Sequence, residues 1–143
     1  MARVDVTKEI DAPQEKVWAL LSNPSSYPDW LTIHDGWRGE VPTEVGEGST
    51  FTEMCTVMGM TNKIDWTVAD YVAPSTLKIS GTGLAGAKIS FTMTVAAEGE
   101  GSHANIDAEF EGQMVVGAIG KAIERSARKE VEASLEKLSG LVS

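Results

Sequence analysis

The feature that most constrains the fold of this chain is a change of hydrophobic period near residue 113. Up to that point, apolar residues alternate with polar ones in short segments, as they do in strands that bury one face. From Gln113 to Leu141 they instead recur at steps of three and four, which predicts an amphipathic helix of about seven turns. The apolar positions of this helix are Val116, Ile119, Ile123, Ala127, Val131, Leu135 and Leu138.

The alternating segments predict one strand at residues 2–10 and about six more between residues 33 and 110. A short helix around Val17 and a second one from Ser25 to Trp30 follow the first strand. The later strands are predicted at 33–40, 49–58, 61–72, 76–80, 88–97 and 103–110. Residues 81–87 contain three glycines and are expected to form a loop. Four residues of the strand at 61–72 are expected on its inner face: Ile64, Trp66, Val68 and Val72.

This order of elements predicts an α+β protein with a helix-grip fold. A meandering sheet with one apolar face must curl over another element to bury that face. The C-terminal helix is long enough to fill the concave side. We therefore expect a curved antiparallel sheet of about seven strands around a long C-terminal helix, with two short helices after the first strand. Residues 1–143 would form a single domain of this kind.

Charge and cysteine content narrow the expected partners and compartment. The net charge is −9, from 21 acidic and 12 basic residues, and such a surface repels phosphate backbones. We therefore expect no nucleic-acid partner. We also expect no membrane insertion, because no apolar run approaches about 18 residues. Cys55 is the sole cysteine and no apolar signal segment opens the chain, so a cytoplasmic location is expected.

Two motifs near the start of the chain resemble those of a known superfamily. They are IDAPQEKVW at residues 10–18 and NPSSYPDW at residues 23–30. Both are similar to the opening of the polyketide cyclase/dehydrase group of the START-like (SRPBCC) superfamily, which also contains birch-pollen-allergen-like proteins. The resemblance implies a helix-grip fold with a cavity between the sheet and the long helix. It leaves the activity open, because the superfamily contains aromatase/cyclases, lipid carriers and hormone receptors.

Three residues are candidates for acid or base catalysis. Glu53 would suit this role if its side chain points inward, a direction that the pattern of its strand leaves open. His34 follows the motif that ends at Trp30, near the expected cavity mouth. The cyclases of the resembling family use an arginine on the sheet. Only Arg38 could take that place here, because residues 49–112 contain no arginine.

The sequence predicts no metal and no cofactor. No group of His, Cys, Asp or Glu has the spacing of metal ligands. His103 falls on the outward side of its strand, and Cys55 is expected to be a small buried residue without an activating partner. The segment Gly81-Thr82-Gly83 precedes a strand instead of a helix, which indicates a turn and not a nucleotide-binding loop.

The apolar inner face of the predicted sheet favours a ligand cavity. Small residues at the start of the long helix, including Gly117 and Gly120, would leave space between helix and sheet. Flexible methionines would adapt to an irregular ligand. The residues expected to contact the ligand are Trp30, Trp37, Met54, Met58, Trp66, Ile79, Phe91, Met93, Phe110, Met114 and Ala118.

Three functions follow from these observations. The apolar face favours binding of a small hydrophobic molecule, lipid-like or polycyclic aromatic and polyketide-like, in an internal cavity. An alternative is a polyketide cyclase/dehydrase-like enzyme, which would need an inward-facing acid or base. A third function comes from resemblance, because the chain is also similar to a mycobacterial branch named as toxins of toxin–antitoxin pairs. That function would require a protein partner.

Overall fold

The computed structural model describes residues 2–41, 45–83, 86–113 and 115–142, and these form a sheet with helices on its concave side. The strands are β1 (Ala2–Ile10), β2 (His34–Arg38), β3 (Thr50–Val57), β4 (Met60–Val72), β5 (Thr76–Thr82), β6 (Lys88–Glu98) and β7 (Gly101–Glu111). The helices are α1 (Gln14–Leu21), α2 (Tyr27–Trp30) and α3 (Gly117–Val142), and a 3-10 turn (Pro24–Ser26) precedes α2.

The sheet is a curled antiparallel half-barrel. Its strand order is β1-β7-β6-β5-β4-β3-β2, so β1 pairs with β7 and the remaining pairs follow the chain as a meander. The predicted helix-grip fold is confirmed: the described part of the chain contains seven strands, two short helices after β1 and one long C-terminal helix. The strand boundaries agree with the sequence pattern to within a few residues.

Alternation decides which side chains form the core. Along β6, Phe91, Met93 and Val95 are buried, and along β7 the even-numbered residues from Ser102 to Phe110 are buried. These inner faces meet the second half of α3, where Ala127, Leu135 and Leu138 are buried. Helix α3 packs against β1, β7, α1 and α2. The C-terminal half of α3 therefore closes one end of the half-barrel.

Two local features of the sheet differ from the prediction. A register shift between Val68 and Asp70 reverses the alternation at the end of β4, so Val72 is 58% exposed although the pattern placed it inside. Strand β5 continues through Gly81 to Thr82, where a loop was expected. The remainder of the predicted loop includes residues 84 and 85, which lie outside the described residues.

Candidate functional site

A cavity of about 260 Å³ lies between the concave sheet and the start of α3. Strands β3, β4, β6 and β7 form its floor, and the first turns of α3 with the segment before them form its roof. The described part of its wall is almost entirely apolar, with one carboxamide, that of Asn62. The lining residues are Cys55, Val57, Met58, Met60, Asn62, Ile64, Gly83, Ala87, Ile89, Phe110, Val115, Ile119 and Ile123.

The beginning of α3 holds this space open. In its first ten residues the sole buried position is Gly120, whereas its second half is packed onto the sheet. Gly117 starts the helix with a φ of +56°, and an added Cβ at Gly120 would lie 3.4 Å from the backbone of Val115. The chain thus folds back tightly under the helix and places the Val115 side chain in the cavity.

Exposed apolar side chains surround the cavity mouth. Met58, Met60 and Ile119 line the cavity and are 48%, 57% and 51% exposed, and Val116 is exposed beside them. Met58 and Gly59 form the two-residue turn between β3 and β4, both with positive φ. Large apolar groups in water at the rim of an apolar cavity are typical of a ligand entrance.

A smaller crevice lies deeper, where the sheet meets the second half of α3. Its volume is about 20 Å³, which is space for about one water molecule. Phe91 and Met93 line this crevice, together with Val131 of α3. Phe110 and Val57 border both spaces. Helix and sheet therefore interlock at this end and separate at the other.

A polar cluster is buried next to the cavity. Glu53 points inward from β3, is fully buried, and accepts hydrogen bonds from the Trp66 indole N–H (2.9 Å) and the Cys55 thiol (3.1 Å). Its other carboxylate oxygen lies 2.5 Å from His34 Nδ1, and the His34 side chain is only 5% exposed. The structure thus joins two of the catalytic candidates, which are 19 positions apart in the chain.

Cys55 connects this cluster to the cavity, because it lines the cavity and donates to Glu53. Burial raises the pKa of the Cys55 thiol, and the charge of Glu53 raises it further. The expectation of a small buried residue is confirmed, and the structure adds the hydrogen bond to Glu53. A protonated thiol of this kind is unreactive, so Cys55 contributes packing surface to the cavity wall and no nucleophile.

Tyr27 is fully buried and lies close enough to Glu53 and Cys55 to feel their charge. Its ring packs edge-on against Trp30 and stacks on Trp37, with centroid distances of 5.5 and 6.0 Å. Its hydroxyl is buried and has no hydrogen-bond partner among the residues that the structure describes. Burial raises the pKa of Tyr27, and Glu53 contributes in the same direction. The hydroxyl therefore stays protonated.

The other predicted ligand contacts lie in several different parts of the structure. Trp30, Trp66 and Ile79 are buried in the core, and Trp37 is half-buried in the aromatic group around Tyr27. Met58 and Phe110 line the cavity, whereas Phe91 and Met93 line the small crevice. Met114 lies outside the described residues.

Three predicted site residues lie away from the cavity. Met54 follows the inward Glu53 on β3, so strand alternation turns it to the outer face of the sheet. Ala118 is exposed on α3 and is not among the described lining residues. Arg38 is exposed on β2, so it does not supply the inward arginine of the family's cyclases.

Three features of the structure were not predicted from the sequence: the cavity-lining Asn62, the buried Tyr27 and a surface group around His103. Asn62 has the same parity as the inward-facing Ile64 and Trp66, but because it is polar the apolar pattern does not identify it. Strands β1, β6 and β7 bring Glu9, Glu98 and His103 within 4.8 Å of one another, although linear spacing predicted no such group. His103 pairs with Glu98, and both glutamates are exposed.

The fold and the cavity define the class of protein. An antiparallel half-barrel that grips one long helix and leaves a cavity at the helix start is the START-like, birch-pollen-allergen-like architecture. The chain belongs to the family described as "Polyketide cyclase / dehydrase and lipid transport", whose model matches residues 1–142. This confirms the resemblance found in the opening motifs. Family and fold together support ligand binding as the general function.

Two similar proteins come from Mycobacterium tuberculosis. An uncharacterized protein is 32% identical over 141 residues, which cover 99% of both chains. A second protein, which bears the name toxin, is 30% identical over 136 residues, covering 95% of this chain and 94% of its own.

Solved structures share the fold at lower identity. A START superfamily protein from Mycobacterium smegmatis superposes with a TM-score of 0.76 at 18% identity, over 99% of this chain and 97% of the other. Ara h 8.0201 superposes with a TM-score of 0.71 at 13% identity, over 98% and 96%. Within the described residues, no helix is both long and apolar enough to cross a membrane.

Proposed function

We propose that this protein binds a small hydrophobic molecule in the cavity between the sheet and the start of α3. The observation that carries the proposal is an apolar space of about 260 Å³ whose mouth is surrounded by exposed methionine and isoleucine side chains. The family description includes lipid transport, which agrees with such a ligand. Lipid-like chains and two- or three-ring aromatic molecules have the shape and polarity that this wall accepts.

The expected affinity follows from the apolar surface that a ligand buries. A two-ring aromatic molecule exposes about 300 Å² of apolar surface, and enclosing it contributes about 7 kcal/mol. The entropic cost of association offsets part of this term, so the expected Kd lies between about 10 μM and 1 mM. Larger ligands that also cover the exposed methionines at the rim would bind more tightly.

A fluorescence titration with the neutral apolar probe N-phenylnaphthylamine tests the proposal. We expect saturable binding with one site per chain. Ile123→Trp adds bulk to a cavity-lining position and should weaken binding by at least about tenfold, whereas Arg125→Trp places the same side chain on the exposed face of α3 and should leave it unchanged. Absence of saturable binding, or equal binding by both variants, would contradict the proposal.

A second candidate function, a cyclase/dehydrase-like enzyme, is favoured by the buried His34–Glu53 pair. A carboxylate that lies on Nδ1 fixes the orientation of the imidazole, and a histidine oriented in this way can act in acid and base catalysis. The test is turnover of a linear poly-β-ketone thioester, followed by mass spectrometry of the products. Glu53→Gln should abolish turnover and retain probe binding. Turnover that is unchanged in this variant would exclude the pair as catalyst.

A third candidate rests on the relative that is named as a toxin, with 30% identity to this chain. If the chain acts in this way, its expression alone should slow growth of the host, and a neutralising protein partner should restore growth. Normal growth at high expression of the folded protein would exclude this function.

A further inference from the structure

The cavity and the deeper crevice lie end to end along the inside of the half-barrel. On α3, Ile123 lines the cavity, and Ala127, about one helical turn further on, lines the crevice. On β6, Ile89 lines the cavity, and Phe91, the next residue of the same parity, lines the crevice. The helix and the sheet therefore place the two spaces in the same order.

Phe110 of β7 lies at the boundary between the two spaces. It lines both of them, and it pairs with the cavity-lining Ile89 across β6 and β7. Its ring packs edge-on against the ring of the crevice-lining Phe91, with a centroid distance of 6.5 Å. The two aromatic rings thus occupy the section of the half-barrel that separates the cavity from the crevice.

The boundary divides the interior unequally. The cavity has a volume of about 260 Å³, and the crevice has about 20 Å³. The described wall of the crevice is also mostly apolar, with Ile33, Met93 and Ile106 among its residues, so polarity would not exclude an alkyl chain from it. The obstacle is steric, because a chain that enters from the mouth must displace a packed aromatic ring to pass Phe110.

We propose that Phe110 limits the length of the ligand and makes the site selective for compact hydrophobic molecules over long-chain lipids. Aromatic molecules of two or three rings and short alkyl chains would occupy the space on the mouth side of the ring. The end of a longer chain would stay in water outside the mouth, where further methylene groups add little to binding. This inference rests on the proposed function, because it concerns the same cavity.

Displacement of N-phenylnaphthylamine by primary alcohols of six to fourteen carbons tests the inference in the unaltered protein. While the chain enters apolar space, each added methylene should tighten binding about fourfold. The cavity follows α3 from its start to Ile123, which is about 9 Å, the length of an extended chain of about eight carbons. We therefore expect the rise in affinity to stop at about eight carbons.

The outcomes of this displacement series separate the two proposals. A rise in affinity that continues beyond about ten carbons would overturn the length limit, whatever the variants do, and would leave the binding of hydrophobic molecules in place. If neither the alcohols nor N-phenylnaphthylamine bind, the proposed function fails, and the length limit fails with it.

Two variants assign the limit to Phe110. Phe110→Ala removes the ring and joins the two spaces, so the rise in affinity should continue for at least about four more carbons than in the unaltered protein. Phe51→Ala removes the same ring from a buried position that is not among the described lining residues of either space, and should leave the limit unchanged. If Phe110→Ala does not fold by circular dichroism, the smaller truncation Phe110→Val should extend the limit in the same direction. An unchanged limit in a folded Phe110 variant would refute its role.

Discussion

At the scale of single residues, the inward direction of Glu53 has the largest consequences. A carboxylate inside an apolar half-barrel is tolerated because three donors surround it: the Trp66 indole, the Cys55 thiol and the His34 ring. The sequence identified Glu53 and His34 as candidates but left their direction open. The pairing could not be predicted because Phe51 and Cys55 share one parity while Met54 and Met58 share the other, so the apolar pattern does not choose the inner face.

Removing this carboxylate should destabilise the fold strongly. Glu53→Ala leaves the Trp66 N–H and the His34 ring buried without an acceptor and opens a cavity, so we expect a loss of about 3 kcal/mol in the free energy of unfolding. Chemical denaturation followed by circular dichroism measures it. Asp65→Ala, which removes an exposed carboxylate from the neighbouring strand, should cost less than about 1 kcal/mol. Equal losses would show that the buried cluster contributes little.

The labelling rate of the Cys55 thiol tests whether this region is buried as the structure shows. Because its pKa is raised by burial and by Glu53, the thiolate is scarce in the folded protein at pH values near 8. We expect reaction with dithiobisnitrobenzoate to be at least about a hundredfold slower in the folded protein than in denaturant. Bound ligand should slow it further, because Cys55 lines the cavity. Fast labelling of the folded protein would contradict this placement.

At the scale of secondary-structure elements, β5 shows how packing extends a strand through glycine. Gly81 pairs with Trp66 on one side and Ile89 on the other. An added Cβ would lie 2.7 Å from Ile64 Cγ2, 2.8 Å from the Asp65 carbonyl oxygen and 2.9 Å from the Trp66 ring. Local propensity predicted a loop here. The strand persists because the Trp66 ring needs the space that a missing side chain provides.

Gly81→Ala should therefore damage both the sheet and the polar cluster. The new methyl group collides with backbone as well as side-chain atoms, so we expect a loss of about 2 to 3 kcal/mol in the free energy of unfolding and a change in Trp66 fluorescence. Thermal and chemical denaturation measure the loss. Gly140→Ala is a suitable control because nothing described lies within 4 Å of its added Cβ, and a helical alanine should be neutral or stabilising. A stable Gly81→Ala protein would refute the close contact.

At the scale of the whole molecule, the periodicity of the sequence predicts the architecture but not the shape of the cavity. Alternation along β6 and β7 and the three-and-four repeat of α3 determine which faces meet. The distance between the sheet and the start of α3 depends on the turn at Gly117 and on the small cavity-lining residues Gly83 and Ala87. The periodicity of the sequence does not encode these features. Because the pattern does not show where helix and sheet separate, it predicted Phe91 and Met93 as ligand contacts. In the structure both line the crevice where helix and sheet interlock.

The most direct test of the central claim is a methyl NMR titration of isoleucine-labelled protein with N-phenylnaphthylamine. Ile64, Ile89, Ile119 and Ile123 line the cavity, whereas Ile10 and Ile79 are buried elsewhere in the core. We expect the δ1-methyl signals of the first four to shift and saturate together, while those of Ile10 and Ile79 stay in place. Shifts confined to the latter pair, or no saturable shift in the cavity group, would contradict a ligand site between the sheet and the start of α3.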